Sequence, residues 1–329
     1  MAITGKVTAH AMQSPSPEPF LWRCLVHTVE AGKRIALKNI LFATDFSSCS
    51  NAALPYALSL VRCYAATLYA AHVMPTKAEL VLLSPETWPT LADEEDKWAR
   101  TSFKQLESQL REIPHEVLMP IGKIAPALTA LIESRKIDLL VLGTHGRAGL
   151  GKLLIGSVAE EVFRRASCPV MTVGPHASSK VQNEIHFQHI LFATDFSPDS
   201  LAALPYAVSL AKEDQAKLTF LHVVEQPAAG IVDLDAVTSA LMLRLHKLIP
   251  AAAESWCHAK CLLEFGRQFA SPARRILEIV RAQVADLIVL GVRPVHGSLG
   301  LTTHLSSTTA QILTQAACPV LTVRGECAN

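Results

Sequence analysis

One octapeptide, Ile-Leu-Phe-Ala-Thr-Asp-Phe-Ser, occupies residues 40–47 and returns at residues 190–197. The likeness runs on through Ala-Ala-Leu-Pro-Tyr-Ala (52–57 and 202–207) to His72-Val73 and His222-Val223. It resumes at Cys168-Pro-Val-Met-Thr-Val and Cys318-Pro-Val-Leu-Thr-Val. Solenoid repeats have periods of about 20–50 residues, whereas this period is that of a whole domain, about 100–150 residues. The 329-residue chain is therefore two copies of one fold in tandem. The boundaries read as an extension at 1–38, a first domain at 39–174, a linker at 175–188 and a second domain at 189–325.

In each copy an apolar strand (39–43; 189–193) ends in Thr-Asp-Phe-Ser, whose serine precedes a helix. A second strand closes at His-Val (67–73; 217–223). An amphipathic helix (93–110; 234–248), a third strand (115–119; 260–264) and a further helix (124–135; 272–282) follow. An unbroken apolar strand (138–142; 286–290), a last helix and a last strand (170–173; 320–323) complete the unit. Alternating strands and helices with continuous apolar strands specify a mostly parallel sheet covered on both faces. Right-handed crossovers then predict two tandem doubly wound α/β domains of five strands each. Residues 21–37 have no counterpart before the second copy.

Half of the residues are hydrophobic and 18% are charged, enough apolar mass for two cores. A net charge of +1 argues against a nucleic-acid or anionic-membrane surface. No apolar run reaches the roughly 20 residues of a membrane span. The first residues lack the basic and apolar regions of a signal peptide, and a cytoplasmic location is the expectation. Cys257-His258-x-x-Cys261 has a metal-like spacing, but with a single ligand cluster it reads as the approach to a strand. Cys168 and Cys318 read as small buried residues.

Ligands of a doubly wound sheet sit at the carboxyl ends of its strands, near the point where strand order reverses. Thr44-Asp45, Val73 and Gly143 converge there in the first copy. After Gly143 the chain reads Thr-His145-Gly146-Arg147-Ala-Gly-Leu-Gly-Lys152-Leu-Leu-Ile-Gly156-Ser157-Val158. Glycines allow close backbone approach, and the free N–H groups and positive dipole end of the helix opening at Gly156-Ser157 suit phosphate oxygens. Arg147 and Lys152 add positive charge. The alternatives at these positions are structural: Ser157-x-x-Glu160 is also a capping box, Asp45 a turn residue, and His72 a hydrogen-bonded histidine at the sheet end.

The order Thr-Asp-Phe-Ser, His-Val, Gly-x2-Gly-x9-Gly-Ser and Cys-Pro-Val-x-Thr-Val resembles the universal stress protein family, in its tandem two-domain and ATP-binding form. The resemblance implies that Thr44 and Asp45 lie beside the adenosine and that the Val73 backbone meets the adenine edge. It implies Gly143 near the ribose and phosphates, and Gly146, Gly156, Ser157 and Val158 on the phosphates, with His145 and Arg147 as neighbours. ATP with Mg2+ is the implied ligand, and regulation of stress tolerance the implied role.

The second copy departs from this pattern. Its loop reads Gly291-Val-Arg293-Pro294-Val-His-Gly297-Ser-Leu-Gly300 and reaches Ser306-Ser307 where the first has Gly156-Ser157. Proline has no N–H to give a phosphate. Thr194, Asp195 and Val223 persist, so an adenosine-sized pocket without a triphosphate cradle is expected, with an anion site at 306–309 left open. Two rival readings stand beside the nucleotide-binding one: an adenylating enzyme with an acceptor pocket at 75–93, and a nucleotide-free interaction module. No nucleophile and base are evident, so at most slow ATP hydrolysis or autophosphorylation is expected. The last strands of the two copies are expected to pair as an internal pseudo-dimer, with further homodimerisation through other faces left open.

Overall fold

The computed structural model describes residues 34–144, 156–177, 185–224, 234–251, 253–266, 271–293 and 306–325. In the first domain the order is β1 (Asn39–Ala43), α1 (Ser48–Tyr64), β2 (Thr67–Ala71), α2 (Lys77–Leu83), α3 (Trp88–Leu110), β3 (His115–Leu118), α4 (Ile124–Ser134), β4 (Leu139–Gly143), α5 (Ser157–Arg165) and β5 (Val170–Val173). The second domain follows as β6 (His189–Ala193), α6 (Pro198–Leu201), α7 (Leu204–Asp214), β7 (Lys217–Val224), α8 (Leu234–His246), β8 (Ala259–Phe265), α9 (Pro272–Gln283), β9 (Leu287–Val292), α10 (Ser307–Gln315) and β10 (Val320–Arg324).

Strand order is β3-β2-β1-β4-β5-β10-β9-β6-β7-β8, so the two five-stranded halves join into one ten-stranded sheet. Among the described residues the strands of each half pair in parallel, and β5 pairs antiparallel with β10, where Val320 faces Thr172 and Thr322 faces Val170. The expected pairing of the last strands is therefore present. Two hydroxyl bonds seal it, Thr172 Oγ1 to Val320 O at 3.3 Å and Thr322 Oγ1 to Val170 O at 3.1 Å. Met171, in register with Leu321, is wholly buried at this seam.

One hydrophobic layer holds Phe42, Val61 and Phe103 together with Phe192, Leu204 and Phe220. The opposite layer holds Leu140, Val162 and Phe163 together with Ile288, Ile312 and Leu313. Both layers run across the seam, so the domains share their cores. An aspartate before β4 closes the back of each half: Asp138 accepts the N–H groups of Lys38 (2.7 Å) and Asn39 (2.9 Å), and Asp286 those of Gln188 (2.7 Å) and His189 (3.1 Å).

Local differences from the sequence expectation have physical causes. The β1–β2 ladder ends at Ala71 because the chain of β1 turns away at Asp45, and pairing resumes on the other side as a Met74–Ile121 bridge. In the 75–93 stretch Thr76 and Glu79 form a capping box that starts α2, and α3 begins at Trp88, ahead of the helix start expected at 93. The helix after β6 breaks into α6 and α7 before Pro205, whose missing N–H removes a helical bond. In the first copy α1 runs through its matching Pro55. Residues 34–38 are extended, and they reach the second domain: Arg34 pairs with Glu213 at 2.8 Å, and Ile35 N–H donates to Ser209 Oγ at 3.1 Å. The rest of 21–37, up to residue 33, lies outside the described residues. Cys257 is buried ahead of β8 and Cys261 lies within it, as the strand-approach reading expects. Burial pushes the thiols of both Cys168 and Cys318 up to about 12.

Met171→Lys places an unpaired charge in this shared seam, a change that costs about 3–5 kcal/mol where it cannot relax. Denaturant unfolding should show that loss, and limited proteolysis should cut between the domains. Wild-type stability in the variant would contradict a buried seam.

Candidate functional site

The turn after β1 is built by its own side chains. Phe46 takes the left-handed conformation (φ 59°), and its copy Phe196 does the same (φ 62°). For a bulky residue this costs about 1–3 kcal/mol and persists only where surroundings impose it. Here Thr44 Oγ1 accepts the Phe46 N–H at 2.9 Å and bonds Ser50 Oγ at 3.1 Å, while Asp45 Oδ1 accepts the Ser47 N–H at 3.0 Å. Ser47 then caps α1 through the Ser50 N–H. The Thr44 hydroxyl is thus a buried brace of the turn, and Asp45 is the expected turn residue, partly exposed at the sheet end.

Val73 follows directly. The N–H groups of His72 and Met74 donate toward the β3 side, to Leu118 O (3.0 Å) and Pro120 O (2.8 Å). Alternation along a strand therefore turns the N–H and C=O of Val73 the opposite way, over the end of β1. His72 is the hydrogen-bonded histidine expected, with Nδ1 at 2.9 Å from Thr44 O and Nε2 at 3.4 Å from Glu95 Oε1. Phe46, His72 and Trp98 form a ring cluster with centroids 5.2–5.7 Å apart. Glu95 and Trp98 reach the site from α3, whose amphipathic pattern predicts a helix at 93–110 but carries no signal of which of its residues meet the sheet end.

Gly143 ends β4, and a Cβ there would lie 2.8 Å from Cys49 C and 2.9 Å from Ser50 N. Its missing side chain is required by the first turn of α1; Gly291 is equally blocked by Asp199 and Ser200. Thr144 N–H bonds Val173 O at 3.0 Å, and Thr144 O accepts the Gly156 N–H at 3.1 Å, so the loop between them leaves and returns at one point. His145, Gly146, Arg147 and Lys152 lie on that loop, outside the described residues.

Gly156 is the N-cap of α5, with φ −60° and ψ 143°. Positive φ is therefore not why glycine stands here. A Cβ would lie 3.2 Å from Thr144 O, so any other residue would crowd that carbonyl. Ser157 is the first helical residue rather than the cap, so Ser157 and Glu160 do not form the capping box the spacing allowed. Glycine has no side chain of its own to take up the first N–H groups of α5, at Ser157, Val158 and Ala159, as a serine or aspartate cap would. Val158 packs against the core, leaving its N–H as its polar contribution. Thr44, Asp45, Val73, Gly143, Gly156, Ser157 and Val158 thus gather at the carboxyl ends of β1, β2 and β4, beside the reversal of strand order.

The second domain repeats the frame and changes the cradle. Ser306 caps α10 with φ −55° and ψ 142°, nearly the angles of Gly156, but its Oγ accepts the Thr309 N–H at 3.2 Å and bonds Thr309 Oγ1 at 2.9 Å. That helix start is capped from within. Pro294, Gly297 and Gly300 lie outside the described residues. A cavity of about 880 Å3 opens here, lined among others by Thr194, Asp195, Val223 and Ser306, and by Phe163 and Arg324 at the domain seam. No sequence signal marked these last two, which meet only through the β5–β10 pairing. Burial pushes Asp195 up, but bonds from Ser197 and Ser200 and the charge of Arg293 outweigh it and hold the carboxyl below its usual range.

Burial lowers the His222 pKa, with Arg244 adding to the effect, while its Nδ1 bond to Thr194 O and the nearby Asp195 oppose it. Burial likewise lowers His189. A depressed histidine contributes stability above its unfolded value, and that stability is lost as pH falls from about 6.5 through the folded value. Urea midpoints should therefore drop across that window. His222→Asn should flatten the profile, and an unchanged slope in that variant would rule out His222 as a source.

The universal stress protein family model matches the chain twice, over residues 36–174 and 186–324. A universal stress protein of Mycobacterium tuberculosis is 27% identical over 283 residues, covering 80% of this chain and 91% of that protein. One from Methanocaldococcus jannaschii is 31% identical over 139 residues, 41% of this chain and 81% of its own length. The crystal structure of a universal stress protein from Archaeoglobus fulgidus superposes with a TM-score of 0.63 at 22% identity, covering 88% of this chain and 98% of that one. Two family matches over one doubled fold make the conclusion plain: this chain belongs to the universal stress protein family, in tandem form.

Proposed function

We propose that the protein is a regulatory nucleotide-binding protein of stress tolerance that holds ATP in its first domain, in the cytoplasm. The observation that carries this reading is the glycine cap of α5, which has no side chain to take up the first N–H groups of the helix, at the sheet end where the Val73 peptide turns toward β1. A helix N-terminus without a side-chain cap suits phosphate oxygens. The Val73 N–H and C=O supply the donor and acceptor that an adenine edge requires. Asp45, whose Oδ1 accepts the Ser47 N–H, stands at the same sheet end as the residue beside the ribose. Mg2+ would ride on the triphosphate, whose oxygens are its natural ligands. Arg147 and Gly146 belong to this proposal as loop residues of the same motif.

The second domain supports a different reading of its own cavity. Thr194, Asp195 and Val223 keep the nucleoside end, and Ser306 closes the phosphate end by capping α10 itself. A nucleoside without a triphosphate is the ligand that fits this cavity best. The hydroxyls of Thr44, Ser47 and Ser50 bond one another and the turn rather than a base, which favours binding over catalysis.

Ser157→Pro tests the first-domain site without disturbing the helix. Proline is favoured at the first helical position, and the extended Gly156 is the conformation a residue before proline prefers. The variant deletes one N–H aimed at the phosphate, worth about 1.5–3 kcal/mol when the acceptor is charged. Calorimetry should show about one ATP per wild-type chain and at least about tenfold weaker binding in the variant. Equal affinity, or two equivalent sites, would overturn the assignment. Gly156→Val is a poorer probe because its Cβ would press on Thr144 O before reaching any ligand. ATP turnover should stay far below the usual enzyme range of about 1–1000 per second; sustained metal-dependent turnover within it would favour an adenylating or hydrolytic enzyme.

A further inference from the structure

Arg324 ends β10, the last strand of the second domain, yet its guanidinium serves a helix of the first. Nη1 donates to Arg164 O at 3.2 Å, and Nη2 donates to Phe163 O. Both carbonyls belong to the final turn of α5, where the last C=O groups of a helix have no partner within it. The backbone supplies another bond there, from the Ala166 N–H to Val162 O. Arg324 therefore satisfies two further carbonyls and sets a positive charge at the negative end of the helix dipole.

The reciprocal position does not do this. Gly174 matches Arg324 in the first copy, and a Cβ built on it would lie 3.5 Å from Leu313 O and 3.7 Å from Ala316 O, at the end of α10. Position 174 faces the equivalent helix end but has no side chain to reach it. The end of α10 instead receives Arg281 of its own domain, whose Nη2 lies 3.5 Å from Gln315 O. The clasp therefore runs one way, from the second domain to the first.

Beyond this clasp, α5 is held by its buried apolar face. It has nine residues, a glycine cap without a side chain, and an apolar face of Ala159, Val162 and Phe163. Its axis sets where the N–H groups of Ser157 and Val158 point. Arg324 and Phe163 also line the second-domain cavity, so the clasp on the last turn of α5 borders that cavity.

We propose that Arg324 is a positioning residue through which the second domain holds the first domain's anion-binding helix, making nucleotide affinity in one repeat depend on a side chain of the other. This rests on the reading that α5 receives the phosphates.

The full-length chain, wild type and with Arg324→Gln or Arg324→Lys, is compared by ATP calorimetry and by hydrogen exchange of the α5 amides. Arg324→Gln should weaken ATP binding about three- to thirtyfold, the range expected for removing a cation from a helix end. It should speed exchange across α5 while leaving exchange in β6 and β7 unchanged. Arg324→Lys keeps the charge and should restore most of the affinity, which a merely structural loss would not follow. Affinity within about twofold of wild type together with unchanged α5 exchange would overturn the proposal. So would equal loss in the Lys and Gln variants with faster exchange throughout the second domain. If wild type binds no ATP but Arg324→Gln still speeds exchange in α5 alone, the nucleotide reading fails and the positioning role stands.

Discussion

The antiparallel pairing of β5 with β10 is the contact on which the rest of the molecule depends. Each half alone would end in a strand with unpaired N–H and C=O groups, a liability that natural proteins cover. Here each half covers the other, and the linker keeps the two edges at high effective concentration. The pairing also lets the helix layers of both faces merge, so Phe42 and Phe192 lie in one hydrophobic cluster and Leu140 and Ile288 in another. A fusion that merely tethered two domains would not share its core in this way. The extended segment at 34–38, held by Glu213 and Ser209, ties the start of the first domain to the second as well.

Against that shared frame, the two ligand regions diverge at a single kind of contact. The turns after β1 and β6 are nearly superposable in chemistry: a left-handed phenylalanine, a threonine brace, an aspartate accepting from a serine N–H, and a serine cap. This strained turn recurs because the same threonine and aspartate side chains brace it in both copies. The helix starts then separate. Gly156 leaves its donors open, whereas Ser306 turns its hydroxyl onto its own helix at almost the same backbone angles. One side chain decides whether the cap residue bonds its own helix.

The aromatic surroundings diverge too. Phe46 packs against Trp98 and Phe103, while Phe196 sits under the Arg244 guanidinium, 4.3 Å from its ring centre. Both phenylalanines stack near a histidine whose Nδ1 is tied to the threonine carbonyl before the turn. The two copies therefore keep the same inner frame and differ in the helix that covers it. This matches the sequence, where similarity fades after His-Val and returns at the strand before the glycine.

Much of this was legible in the chain. The repeated Thr-Asp-Phe-Ser and Cys-Pro-Val segments marked two domains and the apolar strands marked a parallel sheet, because these patterns depend on neighbours close in sequence. The close-approach reasons for glycine at 143 and 156 were not legible: they come from Cys49 and Thr144, brought near by helix packing and by a loop that closes on itself. Nor was the role of Ser157, since a capping box and a helix starting one residue earlier share the same spacing. Arg324 carries no local signal at all. Its partners lie 160 residues away, and only the tertiary pairing of two strand edges brings a guanidinium from one repeat to the helix end of the other. The sequence determined the fold of each half and where its ligand end lies; the tertiary structure decided how the halves act on one another, because that depends on contacts between segments far apart in the chain.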